Sequence, residues 1–126
     1  MRYALIGCGR IAKNHVKAVK ENGLEFAAVC DLIPEQMEKL LAENGLSDDG
    51  SILRYTDYRK MIEEVRPKLV GIATESGTHA EIALFCIDQG VNCIIEKPIA
   101  MSMADADEIV RRSAETGVKV SACHQN

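Results

Sequence analysis

The stretch Tyr3-Ala4-Leu5-Ile6-Gly7-Cys8-Gly9-Arg10-Ile11-Ala12 decides the fold of this chain. A short apolar strand runs into a glycine turn and then into a helical pattern. Gly7 permits a tight turn, Gly9 lets the backbone approach a pyrophosphate, and Ala12 is small enough for close helix-strand packing. Because helix N-termini attract anions, phosphates are expected there. The context predicts a dinucleotide-binding turn, rather than an ordinary strand-turn-helix, with contacts from Gly7, Gly9, Arg10, Ile11 and Ala12.

A carboxylate follows the second apolar run at the distance that a dinucleotide site requires. Asp31 stands at the end of the segment 25–31, where an acidic side chain binds the ribose hydroxyls of adenosine. Leu32 and Ile33 come next, so neither neighbour can accept a 2′-phosphate. Carboxylate-phosphate repulsion therefore favours NAD over NADP, and Arg10 is the one nearby cation that would soften this preference.

Length and charge restrict the possible partners. The 126 residues leave room for one domain, over 1–126, and for no second domain of comparable size. A formal net charge of −4 and a sequence pI near 5.4 argue against a nucleic-acid partner. Apolar runs stay below the roughly 18 residues that span a bilayer, and the first one is too short for a signal peptide. We therefore expect a cytoplasmic protein without a membrane partner.

The five cysteines lie within apolar segments and form no Cys-x-x-Cys pair. They are expected to be small core residues in a reducing compartment. Cys123 and His124 are adjacent, but consecutive strand residues point to opposite faces and could not easily share an ion. No metal site is predicted.

Strand and helix patterns alternate along the whole chain. The predicted strands are 2–7, 25–31, 53–55, 69–73, 92–96 and 118–123, and the predicted helices are 10–22, 34–43, 58–65, 78–89 and 102–116. Asp57 is the expected N-cap of the third helix, while Thr78 with Glu81 has capping-box spacing. Ser102 and Asp105 have the same spacing at the start of the last helix. Strict alternation predicts an α/β fold with a doubly wound parallel sheet and right-handed crossovers.

In such a sheet the ligand lies across the carboxyl ends of the strands. The residues at those ends are the Gly7 loop, Asp31, Thr74-Glu75-Ser76-Gly77, Glu96-Lys97-Pro98 and His124-Gln125-Asn126. Pro98 restricts Lys97 to extended conformations, which would place its ammonium where a nicotinamide ring and a carbinol meet. The alternative is a solvated lysine beside a loop proline.

The glycine turn, the segment Ala73–His79, the tripeptide Glu96-Lys97-Pro98 and the closing His124-Gln125-Asn126 together resemble the N-terminal domain of the Gfo/Idh/MocA oxidoreductases. The resemblance covers essentially the whole chain and implies a Rossmann domain. Members of that family use a nicotinamide cofactor to oxidise a secondary alcohol of a sugar, inositol or sugar nucleotide, or run the reverse reaction. The segment 122–126 also bears a faint resemblance to sugar-nucleotide 3-dehydrogenases of the family.

The resemblance assigns roles to individual residues. It implies that Glu96 holds the nicotinamide ribose and that Lys97, the expected catalytic residue, reaches the reacting hydroxyl. Asn126 would lie near the carboxamide. The turn on the nicotinamide side would be formed by Thr74, Ser76 and His79. A sugar-like substrate and a homo-oligomeric parent enzyme are implied as well.

The chain departs from the family pattern because it stops before the family's C-terminal α+β domain, which supplies the substrate pocket. We therefore expect the chain alone to be inactive. Of its three histidines, His15 is expected on a solvent or interhelical face of the first helix, and neither His79 nor His124 is expected to transfer protons. Two alternatives stay open: a non-catalytic dinucleotide-binding or redox-sensing module and, with weaker support, a methyltransferase.

Overall fold

Six parallel strands and five α-helices alternate over the residues that the computed structural model describes, namely 1–9, 11–46, 48–74, 76–96 and 102–123, the side chains of Ser76, Glu96, Ala122 and Cys123 excepted. The strands are β1 (Arg2–Ile6), β2 (Glu25–Cys30), β3 (Leu53–Tyr55), β4 (Leu69–Ile72), β5 (Asn92–Glu96) and β6 (Val120–Cys123). The helices are α1 (Ala12–Glu21), α2 (Pro34–Glu43), α3 (Tyr58–Val65), α4 (His79–Asp88) and α5 (Met103–Thr116). A 3₁₀ turn, Ser76–Thr78, precedes α4.

The strands form one sheet in the order β3-β2-β1-β4-β5-β6. The direction of winding reverses between β1 and β4, so the crevice between their carboxyl ends is the topological switch point. The predicted doubly wound parallel sheet is confirmed. Among the described helices, none combines the length and apolar character that a membrane crossing needs.

Each face of the sheet has its own apolar core. On one face, α1 and α2 pack through Val16, Val19 and Leu41 against residues of β1 and β2. The other face is covered by α3, α4 and α5, which contribute Ile62, Ile82 and Ile109 among others. Strands buried on both faces explain the continuous apolar runs of the sequence.

Local side-chain chemistry sets several element ends. Asp57 accepts a hydrogen bond from the Arg59 N–H at 3.0 Å, and Ser102 accepts one from the Asp105 N–H at 3.1 Å, so both predicted N-caps are confirmed. Pro34 begins α2, where its missing N–H costs no helical hydrogen bond. These residues begin the helices that follow the carboxyl ends of β2, β3 and β5.

The capping box predicted for Thr78 and Glu81 is wrong. Thr78 is the N-cap of α4 but makes no side-chain capping bond. Its hydroxyl instead donates to Thr74 Oγ1 at 2.7 Å, and the Glu81 carboxylate lies 3.4 Å from the Arg59 guanidinium. A local bond to the preceding turn has replaced the capping bond of Thr78, and a partner 22 residues away has replaced that of Glu81.

Some predicted boundaries also shift. The helix predicted for 10–22 spans 12–21, because Ile11 is its N-cap and the Ala12 N–H bonds Gly9 O at 3.0 Å. Strands β1, β2 and β4 each end one residue earlier than predicted. β6 begins at Val120 rather than Val118, after the Lys119 N–H bonds the Asn92 side chain at 2.9 Å.

Candidate functional site

A cavity of about 600 Å³ opens at the carboxyl edge of the sheet, and we call it the edge cavity. It lies where sequence analysis expects the ligand, across the ends of β1, β2, β3 and β4. Its lining consists of Ile6, Gly7, Cys8, Gly9, Cys30, Asp31, Leu32, Ile33, Gln36, Thr56, Tyr58, Ala73, Thr74, Thr78, Glu81 and Ile82. Gly7, Gly9, Asp31 and Thr74, predicted separately from sequence, are thus brought together.

Gly7 is required by the path of the backbone. Its φ is +94°, and a Cβ there would lie 2.7 Å from the Ala73 carbonyl and from the Thr74 nitrogen. The Gly7 N–H bonds Cys30 O at 2.8 Å, which joins the turn to the end of β2. Gly7 therefore brings β1, β2 and β4 together at the floor of the edge cavity.

Gly9 differs from Gly7 because its space is open among the residues that the structure describes. A Cβ at Gly9 would meet no described atom within 4 Å, and the φ of Gly9 is outside the left-handed region. The bare backbone thus borders the open part of the edge cavity. This is the arrangement that allows a pyrophosphate to approach the main chain.

The N-terminus of α1 lies next to Gly9. Its N-cap, Ile11, provides no side-chain hydrogen bond, and its first turn contains no acidic residue. The Ala12 and Asn14 N–H groups bond the carbonyls of Gly9 and Ile11, so this end of the helix attracts an anion mainly through the positive end of its dipole, which no acidic side chain of the first turn neutralises. Ala12 is fully buried and packs beneath this turn.

The Asp31 carboxylate is fixed by two backbone donors. Its Oδ2 accepts a hydrogen bond from the Cys8 N–H and its Oδ1 accepts one from the Ile33 N–H, both at 2.8 Å. A carboxylate has about four acceptor positions, so it can still receive the hydroxyls of a ribose. The geometry also shows a second role for Asp31, since it ties the glycine turn to the end of β2.

Two buried thiols form part of the same wall. Burial, and then the negative charge of Asp31, raise the pKa of Cys8 from 9.0 to about 12. The same two causes raise the pKa of Cys30 from 9.0 to about 12. At neutral pH both are protonated and are poor nucleophiles or metal ligands. They confirm, together with buried Cys86 and Cys93, the expected core role of these four cysteines.

The β4 side of the edge cavity is formed by Thr74 and the 3₁₀ turn. His79 does not belong to the lining, because its side chain is only 1% exposed. Its Nε2 lies 2.8 Å from Thr74 O, so the imidazole contacts the loop from behind. The expected cofactor residue is therefore placed beneath the wall of the cavity.

Several expected site residues lie outside the described part of the chain. These are Arg10, Glu75, Lys97, His124 and Asn126, together with the side chains of Ser76 and Glu96. The backbone of Glu96 ends β5, which is the neighbour of β4.

Sequence analysis missed the lining near β3. Thr56 directly follows that strand and Tyr58 begins α3, and both border the edge cavity. Thr56 is predictable from the sequence, because ligands lie across the carboxyl ends of parallel strands and Thr56 stands at the carboxyl end of β3. Gln36 and Glu81 carried no comparable signal, since they are ordinary polar helix residues.

Residues 1–124 match a family model described as the oxidoreductase family with an NAD-binding Rossmann fold. The chain belongs to the Gfo/Idh/MocA oxidoreductase family. The match spans the glycine turn, Asp31 and all six strands, so the resemblance noted from the sequence motifs is confirmed. A cavity with a bare glycine turn, an uncapped helix N-terminus and an oriented carboxylate fits the NAD that this family binds.

Two curated Gfo/Idh/MocA relatives align with 98% of the chain each. The 4-carboxy-2-hydroxymuconate-6-semialdehyde dehydrogenase of a Sphingobium species is 30% identical over 125 residues, and the D-apiose dehydrogenase of Paraburkholderia graminis is 31% identical over 124. The WlbA dehydrogenase from Bordetella pertussis, solved in complex with NADH and UDP-GlcNAcA, superposes on all of the chain with a TM-score of 0.88 and 30% identity. The chain spans 38%, 32% and 38% of the length of these three proteins.

Proposed function

We propose that this chain is the cofactor-binding domain, over 1–126, of an enzyme that transfers a hydride between NAD and a secondary alcohol or ketone of a sugar, polyol or sugar nucleotide. The observation that carries the proposal is the pairing of two features on one cavity. Gly9 faces open space, and the Asp31 carboxylate is held beside it by backbone donors. A phosphate and a ribose need these two groups side by side.

The edge cavity offers each part of NAD a different wall. Gly9 and the N-terminus of α1 would hold the pyrophosphate, and Asp31 would hold the adenosine ribose. Thr74, which follows β4 on the other side of the switch point, would face the nicotinamide half. Arg10, Ser76, Glu96 and Asn126 complete the proposed contacts as the family resemblance implies.

NAD supplies a hydride acceptor, and NADH a hydride donor, when bound in this site. Lys97 is the proposed catalytic residue because it follows Glu96 at the carboxyl end of β5, one strand beyond Thr74. In ketone reduction the Lys97 ammonium would stabilise the oxygen as negative charge develops and would donate its proton to it. In alcohol oxidation the neutral Lys97 amine would accept the hydroxyl proton.

The substrate class is supported by the names of the relatives. D-apiose is a sugar, and UDP-GlcNAcA is present in the WlbA complex. A cytoplasmic location is supported by the four buried free thiols, which suit a reducing compartment. The homo-oligomeric parent stays a prediction from the resemblance.

Calorimetric titration of the chain with NAD and with NADP tests the proposal. NAD should bind, and NADP should bind at least about tenfold more weakly because its phosphate meets the Asp31 carboxylate. Asp31→Ser should narrow that difference, mainly by removing the repulsion. Equal or tighter binding of NADP by the unchanged chain would contradict the cofactor preference.

Gly9→Val tests whether the pyrophosphate of NAD lies beside Gly9. Its side chain would project into the cavity and reduce NAD affinity by about tenfold or more, while the circular-dichroism spectrum stays native. If Gly9→Val binds NAD as the unchanged chain does, the pyrophosphate lies elsewhere.

Lys97→Met separates catalysis from cofactor binding. In a form of the enzyme that turns over substrate, it should lower turnover by roughly two to four orders of magnitude, with little change in NAD affinity. Unchanged turnover would remove Lys97 from the mechanism.

A further inference from the structure

We propose that His79 is a positioning residue for the nicotinamide half of the site: its Nε2–H donates to the Thr74 carbonyl and thereby holds the β4 wall of the edge cavity in place. The inference rests on the proposed function, because it assumes that NAD occupies the cavity. On this proposal His79 acts by holding Thr74 and does not itself contact the cofactor.

The direction of the hydrogen bond follows from its partners. Nε2 of His79 and the carbonyl oxygen of Thr74 are 2.8 Å apart, and a carbonyl oxygen can only accept. The proton must therefore be on Nε2. Because the His79 side chain is 1% exposed, water cannot easily replace this donor if it is lost.

Thr74 is the point where three parts of the site meet. Its hydroxyl accepts from the Thr78 hydroxyl at 2.7 Å, which ties it to the 3₁₀ turn. Its backbone nitrogen lies 2.7 Å from the place where a Cβ of Gly7 would be. The preceding Ala73 N–H bonds Ile6 O at 2.8 Å. A small shift of the Thr74 peptide would therefore change the shape of the cavity beyond the switch point.

The adenosine side of the cavity is held by other bonds. Asp31 is fixed by the N–H groups of Cys8 and Ile33, neither of which involves β4 or α4. Loss of the His79 donor should thus affect the two halves of NAD unequally. ADP, which contains adenosine and pyrophosphate but no nicotinamide, serves as the probe for the unaffected half.

The experiment compares NAD and ADP binding by calorimetry in three variants. His79→Leu removes the donor and should weaken NAD about tenfold while changing ADP by less than about twofold. His79→Gln returns an amide N–H to nearly the position of Nε2 and should recover most of the NAD affinity. His15→Leu is the matched control, since His15 is also a buried histidine, 5% exposed and hydrogen-bonded, but its partner is Tyr3, which does not line the edge cavity.

The outcomes separate the inference from the proposed function. If the unchanged chain does not bind NAD, the proposed function fails. The positioning role is overturned if NAD binds but His79→Leu leaves the affinity unchanged, weakens NAD and ADP equally, or is not rescued by His79→Gln. It is also overturned if His15→Leu produces the same pattern.

Nitrogen NMR of the unchanged chain keeps the test independent of how the variants fold. Long-range ¹H–¹⁵N spectra distinguish the two imidazole tautomers, and the His79→Gln spectrum identifies the signals that belong to His79. A proton on Nε2 supports the inference. A neutral imidazole with its proton on Nδ1 alone would overturn it.

Discussion

Two cavities of different character lie near helix α1. The glycine turn that leads into the N-terminus of α1 lines the edge cavity, together with Asp31. Farther along, the same helix lines a second cavity of about 340 Å³ with Tyr3, His15, Leu24, Leu69 and Ile94 among its walls. There the Tyr3 hydroxyl and His15 Nδ1 share a buried hydrogen bond at 3.1 Å.

A glycine in each region shows how the two differ. Among the described residues, none fills the space beside Gly9, whereas the space beside Gly71 is filled by other side chains of the protein. A Cβ at Gly71 would overlap the Tyr3 hydroxyl and would lie 2.8 Å from His15 Nδ1. The missing side chain at Gly9 thus keeps the edge cavity open, and the missing side chain at Gly71 makes room for a buried polar pair.

The strongest test of the edge cavity's structural floor is Gly7→Ala. The variant combines a positive φ with a clash against the β4 backbone, so the free energy of unfolding should fall by about 3–4 kcal/mol in urea titrations. Gly23→Ala is the control, because Gly23 has a φ of +64° but nothing within 4 Å of a Cβ. It should cost only about 1 kcal/mol. If both variants lower the free energy of unfolding equally, the clash with the backbone after β4 does not contribute to the destabilisation.

Gly71→Ala tests the packing role in the other region. Tyr3 or His15 must move and lose their hydrogen bond, so the free energy of unfolding should fall by about 2–3 kcal/mol. Gly50→Ala, where a Cβ meets nothing, should change stability by less than about 0.5 kcal/mol. NAD affinity of the folded Gly71→Ala protein should stay close to that of the unchanged chain. Loss of NAD binding in that protein would break the distinction between the two regions.

The Cys30 thiol of the edge cavity should make a smaller contribution to the free energy of unfolding, and that contribution should depend on pH. Folding raises the pKa of Cys30 from 9.0 to about 12, through burial and then Asp31, so between these values the unfolded chain binds fewer protons than the folded one. The stability linked to this thiol is complete below pH 9 and is lost as the pH rises toward 12. Between pH 9 and about pH 10, the unchanged chain should lose about 1 kcal/mol more unfolding free energy than the Cys30→Ala variant. If the unfolding free energy falls by the same amount in both proteins, folding does not raise the pKa of Cys30.

Much of the fold could be predicted because local signals and tertiary packing agree. The bounds of α2, β3 and β5 match the predicted ones residue for residue, since Pro34 and the short apolar runs have one simple interpretation each. The glycine turn and Asp31 could be predicted for the same reason, as their spacing reflects backbone geometry that a dinucleotide requires.

Other features could not be predicted because the folded structure offers a side chain a different partner from the one that its sequence motif suggests. The sequence predicts His15 on a solvent or interhelical face, but in the structure it packs toward the sheet against Tyr3. The absence of a side chain at Gly71 makes room for it there. Thr78 matched a capping motif, yet its hydroxyl bonds Thr74 instead. The environment of His15 is thus set by a partner on β1, whereas that of Thr78 is set by a competing local bond, four residues back along the chain.

The most direct test of the account is a ¹H–¹⁵N amide spectrum of the chain titrated with NAD. The largest shifts should fall on the amides of Gly9, Asp31 and Thr74, which lie around the edge cavity. The amides of Asn22 and Leu24, at the second cavity, should keep their positions. Shifts centred on Asn22 and Leu24, or an unchanged spectrum at saturating NAD, would contradict the assignment of the dinucleotide to the carboxyl edge of the sheet.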